Sequence, residues 1–80
     1  MGQSFPEERV TMIKIGQTSR DEIRTMFGEP WRLGMEDGQQ TWTYGNYRYS
    51  VLGSRETSDL VVRFNKEGIV ASYSYNTSSE

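Results

Sequence analysis

The chain has 80 residues with a net charge of −2 at pH 7, and it contains neither cysteine nor histidine. This length fits a single domain over residues 1–80, with a core near 6–75. Folding at this size removes only about 60% of the unfolded surface from water, so the hydrophobic core must be economical. Without those two residue types, zinc clusters, disulfides, cysteine nucleophiles and imidazole bases are excluded, and the nine scattered lysines and arginines give no basic patch for nucleic acid.

The first predicted element is a short helix over about residues 6–14. Pro6 suits a first helical turn, and the two acids that follow it favour the positive end of the helix dipole. Val10 and Ile13 are spaced to share one face. Gly16 supplies a stop in left-handed geometry.

A second helix is predicted over about residues 19–27. Thr18 stands three positions before Asp21, which is the spacing of an N-cap residue and its acidic partner. Gly28 can take the left-handed conformation that closes a helix, and Pro30 prevents the helix from continuing.

The second half of the chain has the signals of an antiparallel meander. Asp37-Gly38 predicts a tight turn between residues 31–36 and a strand that begins near residue 39. Two further strands are predicted at 59–64 and 69–75. They should be joined by a four-residue connection, with a polar loop over 53–58 before them and a frayed tail from Asn76.

The long strand over about residues 40–52 contains a change of parity. Its aromatic residues are even-numbered up to Tyr44 and odd-numbered from Tyr47, and a shift of one residue exchanges the faces of a strand. Gly45-Asn46 must absorb that shift, either as a glycine bulge within one bent strand or as a two-residue hairpin turn. The bulge is favoured because the later strands need a long partner.

Two helices followed by three or four antiparallel strands predict an α+β two-layer sandwich with the helices on one sheet face. Residues at helical spacing before Gly28, and at a spacing of two after it, should form the interface between the layers. These residues are Ile23, Met26, Phe27, Trp42, Tyr44, Leu60, Val62 and Phe64.

The candidate catalytic groups have simpler structural explanations. Glu7-Glu8 lies in the first turn of a helix and Glu36-Asp37 lies at a hairpin turn, whereas paired acid and base catalysis needs two carboxyls in different environments facing one substrate. The serine and threonine hydroxyls have no histidine to take their protons. The sequence therefore predicts a protein that is not an enzyme, with no cofactor, metal site or small-molecule substrate.

Aromatic residues near predicted breaks are the candidates for contact with a partner. Tyr47-Arg48-Tyr49 has the alternation of a base-stacking platform, but the acidic charge balance argues against nucleic acid, and cross-strand packing of the two tyrosines is the simpler interpretation. A protein-binding surface, if the chain has one, should use Trp31, Tyr47, Tyr49 and Arg55 rather than a cleft.

Several motifs lie in the order found in a family of envelope proteins. They are Gly16-x-Thr18, Glu22-Ile23, Phe27-Gly28-x-Pro30, Trp42-x-Tyr44, residues 60–64 and Gly68-Ile69-Val70. Over about residues 10–75 the chain resembles the SmpA/OmlA family of outer-membrane lipoproteins, which includes the BamE-like lipoprotein of the β-barrel assembly machinery. The glycine and proline motifs mark the scaffold, so they support the fold more strongly than the function.

The resemblance implies a two-helix, three-strand plan like that of the β-lactamase-inhibitor-like fold. It also implies a lipoprotein on the periplasmic face of the outer membrane, acting as a scaffold or accessory module among envelope proteins. Residues 31–41 do not match the surface by which the barrel-assembly member engages its partners and lipid, so membership of that machinery stays open. The alternatives are a secreted inhibitor-like domain that binds an enzyme, and an intracellular module that binds peptide or nucleic acid.

Membrane attachment is expected only through a lipid anchor outside these 80 residues. No apolar run approaches the roughly 20 residues of a membrane span. The family resemblance calls for an acylated cysteine, and the sequence contains none. We therefore expect the natural gene product to begin before Met1 with a signal segment and a lipobox that ends in cysteine a few residues upstream of Gly2.

Overall fold

Within the residues that the computed structural model describes, 5–49, 53 and 55–79, two short helical segments precede a four-stranded antiparallel sheet. The elements are a 3₁₀ helix (Glu7–Met12), α1 (Arg20–Phe27), β1 (Arg32–Glu36), β2 (Gln39–Tyr49), β3 (Arg55–Phe64) and β4 (Val70–Ser79). The strand order is β1-β2-β3-β4, which is a simple meander. The predicted α+β class and antiparallel meander are confirmed.

The first helix is shorter and more tightly wound than the predicted helix over 6–14. It is a 3₁₀ helix over Glu7–Met12, and the Ile13 N–H donates to the carbonyl of Val10, three residues back, at 3.1 Å. Val10 and Ile13 are both buried, and a spacing of three places side chains in line in a 3₁₀ helix. Gly16 does not stop this helix; it takes a φ of +83° in the turn that follows.

The N-cap of the second helix, α1, lies one residue later than predicted. Ser19 is the N-cap: its hydroxyl accepts from the Glu22 N–H at 3.2 Å, and the Glu22 carboxylate accepts from the Ser19 N–H at 3.1 Å. The expectation that Thr18 is the cap is wrong. Its buried hydroxyl accepts from the Lys14 N–H at 2.8 Å instead. Glutamate at the third helical position reaches back to Ser19, and this reciprocal pair selects it as the cap.

Removing the cap should weaken the domain measurably. We expect Ser19→Ala to lower the free energy of unfolding by about 1 kcal/mol, because the hydroxyl that accepts from the Glu22 N–H at the start of α1 is lost. Ser19→Asp keeps an acceptor at the same place and serves as the control. Urea titration followed by circular dichroism measures both variants, and equal midpoints for wild type and Ser19→Ala would contradict the assignment.

The end of α1 is tied to the sheet. Gly28 leaves the helix with a φ of +85° and a ψ of −161°, a conformation open essentially to glycine alone, and its N–H donates to the Arg24 carbonyl at 2.8 Å. The Tyr44 hydroxyl donates to the Gly28 carbonyl at 2.8 Å. Burial, with a further contribution from the Glu29 carboxylate, raises the pKa of Tyr44 well above its ordinary value. The hydroxyl therefore keeps the proton that it donates.

Strand β2 is continuous through Gly45-Asn46, and its register with β3 is unbroken along the whole pairing. The favoured bulge and the alternative hairpin turn at this dipeptide are therefore both wrong. Since nothing absorbs the change of parity, Tyr44 faces the helices and Tyr47 faces away from them. The irregularity in this sheet lies instead in the β3–β4 pairing, between Arg63 and Phe64.

Strands β3 and β4 are longer than predicted. Residues expected in a polar loop over 53–58 include the start of β3 at Arg55, and the tail expected to fray from Asn76 continues β4 to Ser79. Polar side chains do not prevent pairing here, because the long β2 and β3 supply backbone partners whatever the side chains are.

The predicted turn at Asp37-Gly38 is confirmed, and the connection between β3 and β4 lies where it was predicted but has five residues, 65–69, instead of four. Asp37 and Gly38 have φ values of +53° and +79°, the combination that a two-residue type I′ turn requires. Between β3 and β4, the Asn65 carboxamide oxygen accepts from the Ile69 N–H at 3.0 Å, and Gly68 takes a φ of +80°.

One hydrophobic core lies between the helical segments and the sheet. Of the predicted interface residues, all are buried except Met26, which is partly buried against the others. Sequence periodicity did not place Phe5 or Val70 there. Phe5 is 4% exposed, and its ring centroid lies 6.0 Å from those of Phe27 and Tyr44.

Candidate interaction surface

The outer face of the sheet is the face that carries no helix. Residues directly opposite each other in antiparallel strands share a face, so the register assigns its members. It is mostly polar, with Thr41, Thr43, Thr57, Asp59, Ser72 and Ser74 among its residues. Large apolar groups stand out against such a surface.

Two of the four predicted contact residues meet on the outer face. Trp31 and Tyr47 are 44% and 48% exposed, and their ring centroids are 5.2 Å apart in an edge-to-face arrangement. They line an open groove of about 370 Å³ together with Arg32, Thr43 and Asp59. The pair combines aromatic area, charged neighbours and hydroxyl groups in one place, which is the composition of a protein-binding surface.

Gly45 explains how Trp31 comes to lie there. A Cβ on Gly45 would be 2.6 Å from Cζ3 of Trp31, so the ring rests directly on the strand backbone and buries the glycine. The Trp31 N–H also donates to the Thr43 carbonyl at 2.7 Å. Glycine in this strand is therefore needed for the close approach of an aromatic ring.

Adding a methyl group at Gly45 should displace the Trp31 ring. We expect Gly45→Ala to lower the free energy of unfolding by about 1–3 kcal/mol, because the new Cβ overlaps the ring. Tryptophan fluorescence and urea titration measure the two effects. In a Trp31→Ala background the same change should cost far less, and an equal cost in both backgrounds would contradict the contact.

The other two predicted contact residues lie at the far end of the same hairpin. Tyr49 and Arg55 are backbone partners where β2 and β3 meet the connection between them. The alternation of the strand places Arg55 on the outer face with Tyr47, and Arg55 is exposed. The side chain of Tyr49 lies outside the described residues.

A polar cluster that the sequence did not predict fastens the N-terminal segment to the helix side of the sheet. The buried Asn46 carboxamide accepts from the Phe5 N–H at 2.7 Å and donates to the Phe5 carbonyl at 2.9 Å and to Glu7 Oε2 at 3.1 Å. The Tyr75 hydroxyl donates to the other Glu7 oxygen, and this hydrogen bond is the main reason that the pKa of Tyr75 is raised. A cleft of about 280 Å³ lies beside this cluster.

One carboxylate of each adjacent acidic pair considered in the sequence has a structural partner. Glu7 binds Asn46 and Tyr75, and Glu36 pairs with Arg63 across the outer face. No group of three or more potential metal ligands occurs within the described residues. In that part of the chain, no helix combines the length and the apolar character that a membrane-crossing helix needs.

Comparison with protein-family models gives a match over residues 2–74, to the model described as the outer membrane protein assembly factor BamE domain. The matched segment includes both helices, β1, β2, β3 and the first half of β4. Neither the curated proteins nor the solved structures contain a match. The family model spans nearly the whole chain, and it agrees with the resemblance noted in the sequence. The chain therefore belongs to the BamE family of outer-membrane protein assembly factor domains.

Proposed function

We propose that this domain is a non-enzymatic accessory module of outer-membrane protein assembly, which binds another envelope protein through the outer face of its sheet. Family membership supports the process, and the half-exposed Trp31–Tyr47 pair supports the mode of action. Tryptophan and tyrosine are the residue types most enriched at the energetic centres of protein interfaces.

The rigidity of the aromatic pair favours binding. Trp31 is held from below by Gly45, from the side by Tyr47 and through its backbone N–H by Thr43. Side chains that are ordered before binding lose less conformational entropy when a partner arrives, so more of the contact energy appears as affinity. Arg32 and Asp59 beside the groove would form the polar rim that surrounds such a centre.

Site-specific photo-crosslinking tests this proposal in intact cells. A photoreactive phenylalanine analogue is placed at Tyr47, and at Ser74 as the control, because Ser74 is exposed on the same face but on the opposite edge strand. We expect an adduct with a subunit of the barrel-assembly machinery from position 47 alone. Equal adducts from both positions, or none from position 47, would contradict the proposed surface.

Loss of the aromatic pair should separate binding from stability. The variant Trp31→Ala/Tyr47→Ala should fold but lose co-purification with its envelope partner, whereas Ile15→Ala should keep it, because Ile15 is 60% exposed and lies in the connection between the 3₁₀ helix and α1. Outer-membrane barrier function in a deletion strain complemented with each variant gives the physiological result. Full co-purification by the double variant would refute the proposed surface. In the crosslinking experiment, an adduct between position 47 and a secreted hydrolase would favour the alternative function, an inhibitor-like domain that binds an enzyme.

We also propose that the natural protein is held at the outer membrane by an acylated cysteine that precedes residue 2. The first support is the family resemblance. The second is that the exposed aromatic groups of the described residues, Trp31 and Tyr47, are assigned to protein binding and not to membrane attachment. Several acyl chains on one cysteine hold a domain stably at a membrane without help from the fold. Sequencing the genomic locus tests this, because an open reading frame that starts at Met1 would contradict it.

A further inference from the structure

Strand β1 is a free edge of the sheet. It is outermost in the strand order, and its two large apolar side chains are among the most exposed in the protein, Leu33 at 62% and Met35 at 72%. Proteins normally protect an exposed edge with charges pointing inward, proline or a bulge. Within Arg32–Glu36 there is neither proline nor a register shift against β2.

The hairpin geometry determines which backbone groups of β1 are available. In a two-residue hairpin, the residues that flank the turn at 37–38 form a hydrogen-bonded pair, here Glu36 and Gln39. Hydrogen bonding to the neighbour then alternates along the strand. The N–H and carbonyl groups of Leu33 and Met35 therefore point away from β2, toward the open edge.

The sequence of β1 is complementary to itself when it is read in the antiparallel direction. A twofold axis through Gly34 would place Arg32 opposite Glu36 of a second copy, and Leu33 opposite Met35 of that copy. The same axis sets the outward N–H and carbonyl groups of residues 33 and 35 against each other in reciprocal bonds. Gly34 would meet Gly34 of the second copy, where strands approach most closely and side chains are most crowded.

We propose that two copies of this domain associate through β1, antiparallel about Gly34, to form a continuous eight-stranded sheet. Leu33 is the cross-strand partner of the core residue Trp42, so the apolar residues would join the two cores on the helix side. On the outer face, Glu36 would lie between its own Arg63 and Arg32 of the second copy. This isologous contact closes at two copies, because each free β1 edge is used once.

The association should be weak and dependent on concentration. Five residues on each side bury much less than the roughly 1,000 Å² expected of a stable complex. The primary measurement is therefore sedimentation velocity with the purified domain. Protein concentrations from about 10 µM to 1 mM cover the dissociation constants of weak complexes. The weight-average sedimentation coefficient of the wild type should rise across this series.

Charge reversals test the proposed register. Arg32→Glu places two carboxylates opposite each other, and Glu36→Arg places two guanidinium groups opposite each other, so each variant alone should associate about tenfold more weakly. An equimolar mixture of the two variants should recover association, because an acidic edge then meets a basic edge. Lys66→Glu, which makes the same change of charge at an exposed turn position, should behave like the wild type.

Amide hydrogen exchange identifies the surface that is used. Exchange at Leu33 and Met35 should slow as the concentration of the wild type rises, and it should stay fast in Arg32→Glu. A wild type that remains monomeric throughout the series would overturn the proposal. The same holds if β1 pairs only with a strand of a different protein. Association that persists in both variants, or that leaves the two amides unprotected, would also overturn it.

Discussion

Replacing Phe27 with alanine is expected to leave a large part of the protein unfolded at 25 °C. Phe27 is 4% exposed, and its ring centroid lies 5.6 Å from that of Tyr44 and 6.0 Å from that of Phe5. The substitution removes a buried aromatic ring at the point where α1, β2 and the N-terminal segment meet. The expected loss is about 3–5 kcal/mol, which is comparable to the whole stability of a small domain.

Urea titration followed by circular dichroism measures this loss, and Thr25→Ala is the matched control. Thr25 lies on the same helix but is exposed, so its replacement should change the free energy of unfolding by no more than about 0.5 kcal/mol. Phe27→Leu retains most of the apolar volume and should fall between the two. If the Phe27→Ala domain had the same urea midpoint as the wild type, the central position of this ring in the core would be contradicted.

The helix boundary and most of the core could be predicted because their signals are local. The spacing of Ile23 and Phe27, bounded by a cap residue and Gly28, specifies both α1 and its buried face. The cap itself was misplaced by one residue, because Thr18 and Ser19 each have an acid three positions later. The longer side chain of Glu22 reaches back to the Ser19 N–H, which makes Ser19 the cap. The Thr18 hydroxyl instead accepts a hydrogen bond from the Lys14 N–H.

The register of β2 could not be predicted because it depends on contacts between residues distant in sequence. The change of parity between Tyr44 and Tyr47 suggested a bulge only if both aromatic residues were assumed to enter one core. In the structure Tyr47 packs on the outer face against Trp31, and the core-side position at residue 46 is taken by asparagine. A polar residue becomes acceptable at a buried position when a partner for each of its groups is present.

Trp31 and Tyr47 are predicted contact residues because they are large aromatic groups near a predicted break and a predicted bulge, and their binding role stays a prediction. The sequence could not show that the two rings meet, because their contact depends on the fit of Trp31 onto Gly45. The helix side of the sheet is occupied at one end by α1 and at the other by Phe5. A partner that binds the sheet would therefore find accessible large apolar groups on the outer face and along β1.

Asn46 joins the N-terminal segment to the rest of the fold, and its replacement should have the second largest effect on stability. In Asn46→Ala, the Phe5 N–H and carbonyl lose partners at 2.7 and 2.9 Å. If Phe5 stays in place, each buried group that is left unpaired costs roughly 1–3 kcal/mol. If the segment detaches instead, burial of the phenylalanine ring is lost, which costs about 1.5–3 kcal/mol. By either route we expect a loss of about 2–4 kcal/mol.

A double-mutant cycle distinguishes the asparagine bond from a general loss of packing. Phe5→Ala removes the ring that the bond holds in the core, so Asn46→Ala should cost clearly less in that background than in the wild type.

Asn46→Asp gives a second test, because a buried carboxylate beside Glu7 can accept from the Phe5 N–H but cannot donate to its carbonyl. Burial and the like charge should raise the pKa of the new aspartate in the folded state. Its stability relative to wild type should therefore be best at acid pH, where the carboxyl is protonated in both states, and should fall as the pH rises through its folded pKa. Additive effects of Phe5→Ala and Asn46→Ala, together with a pH-independent difference for Asn46→Asp, would show that the segment is held by apolar contact alone.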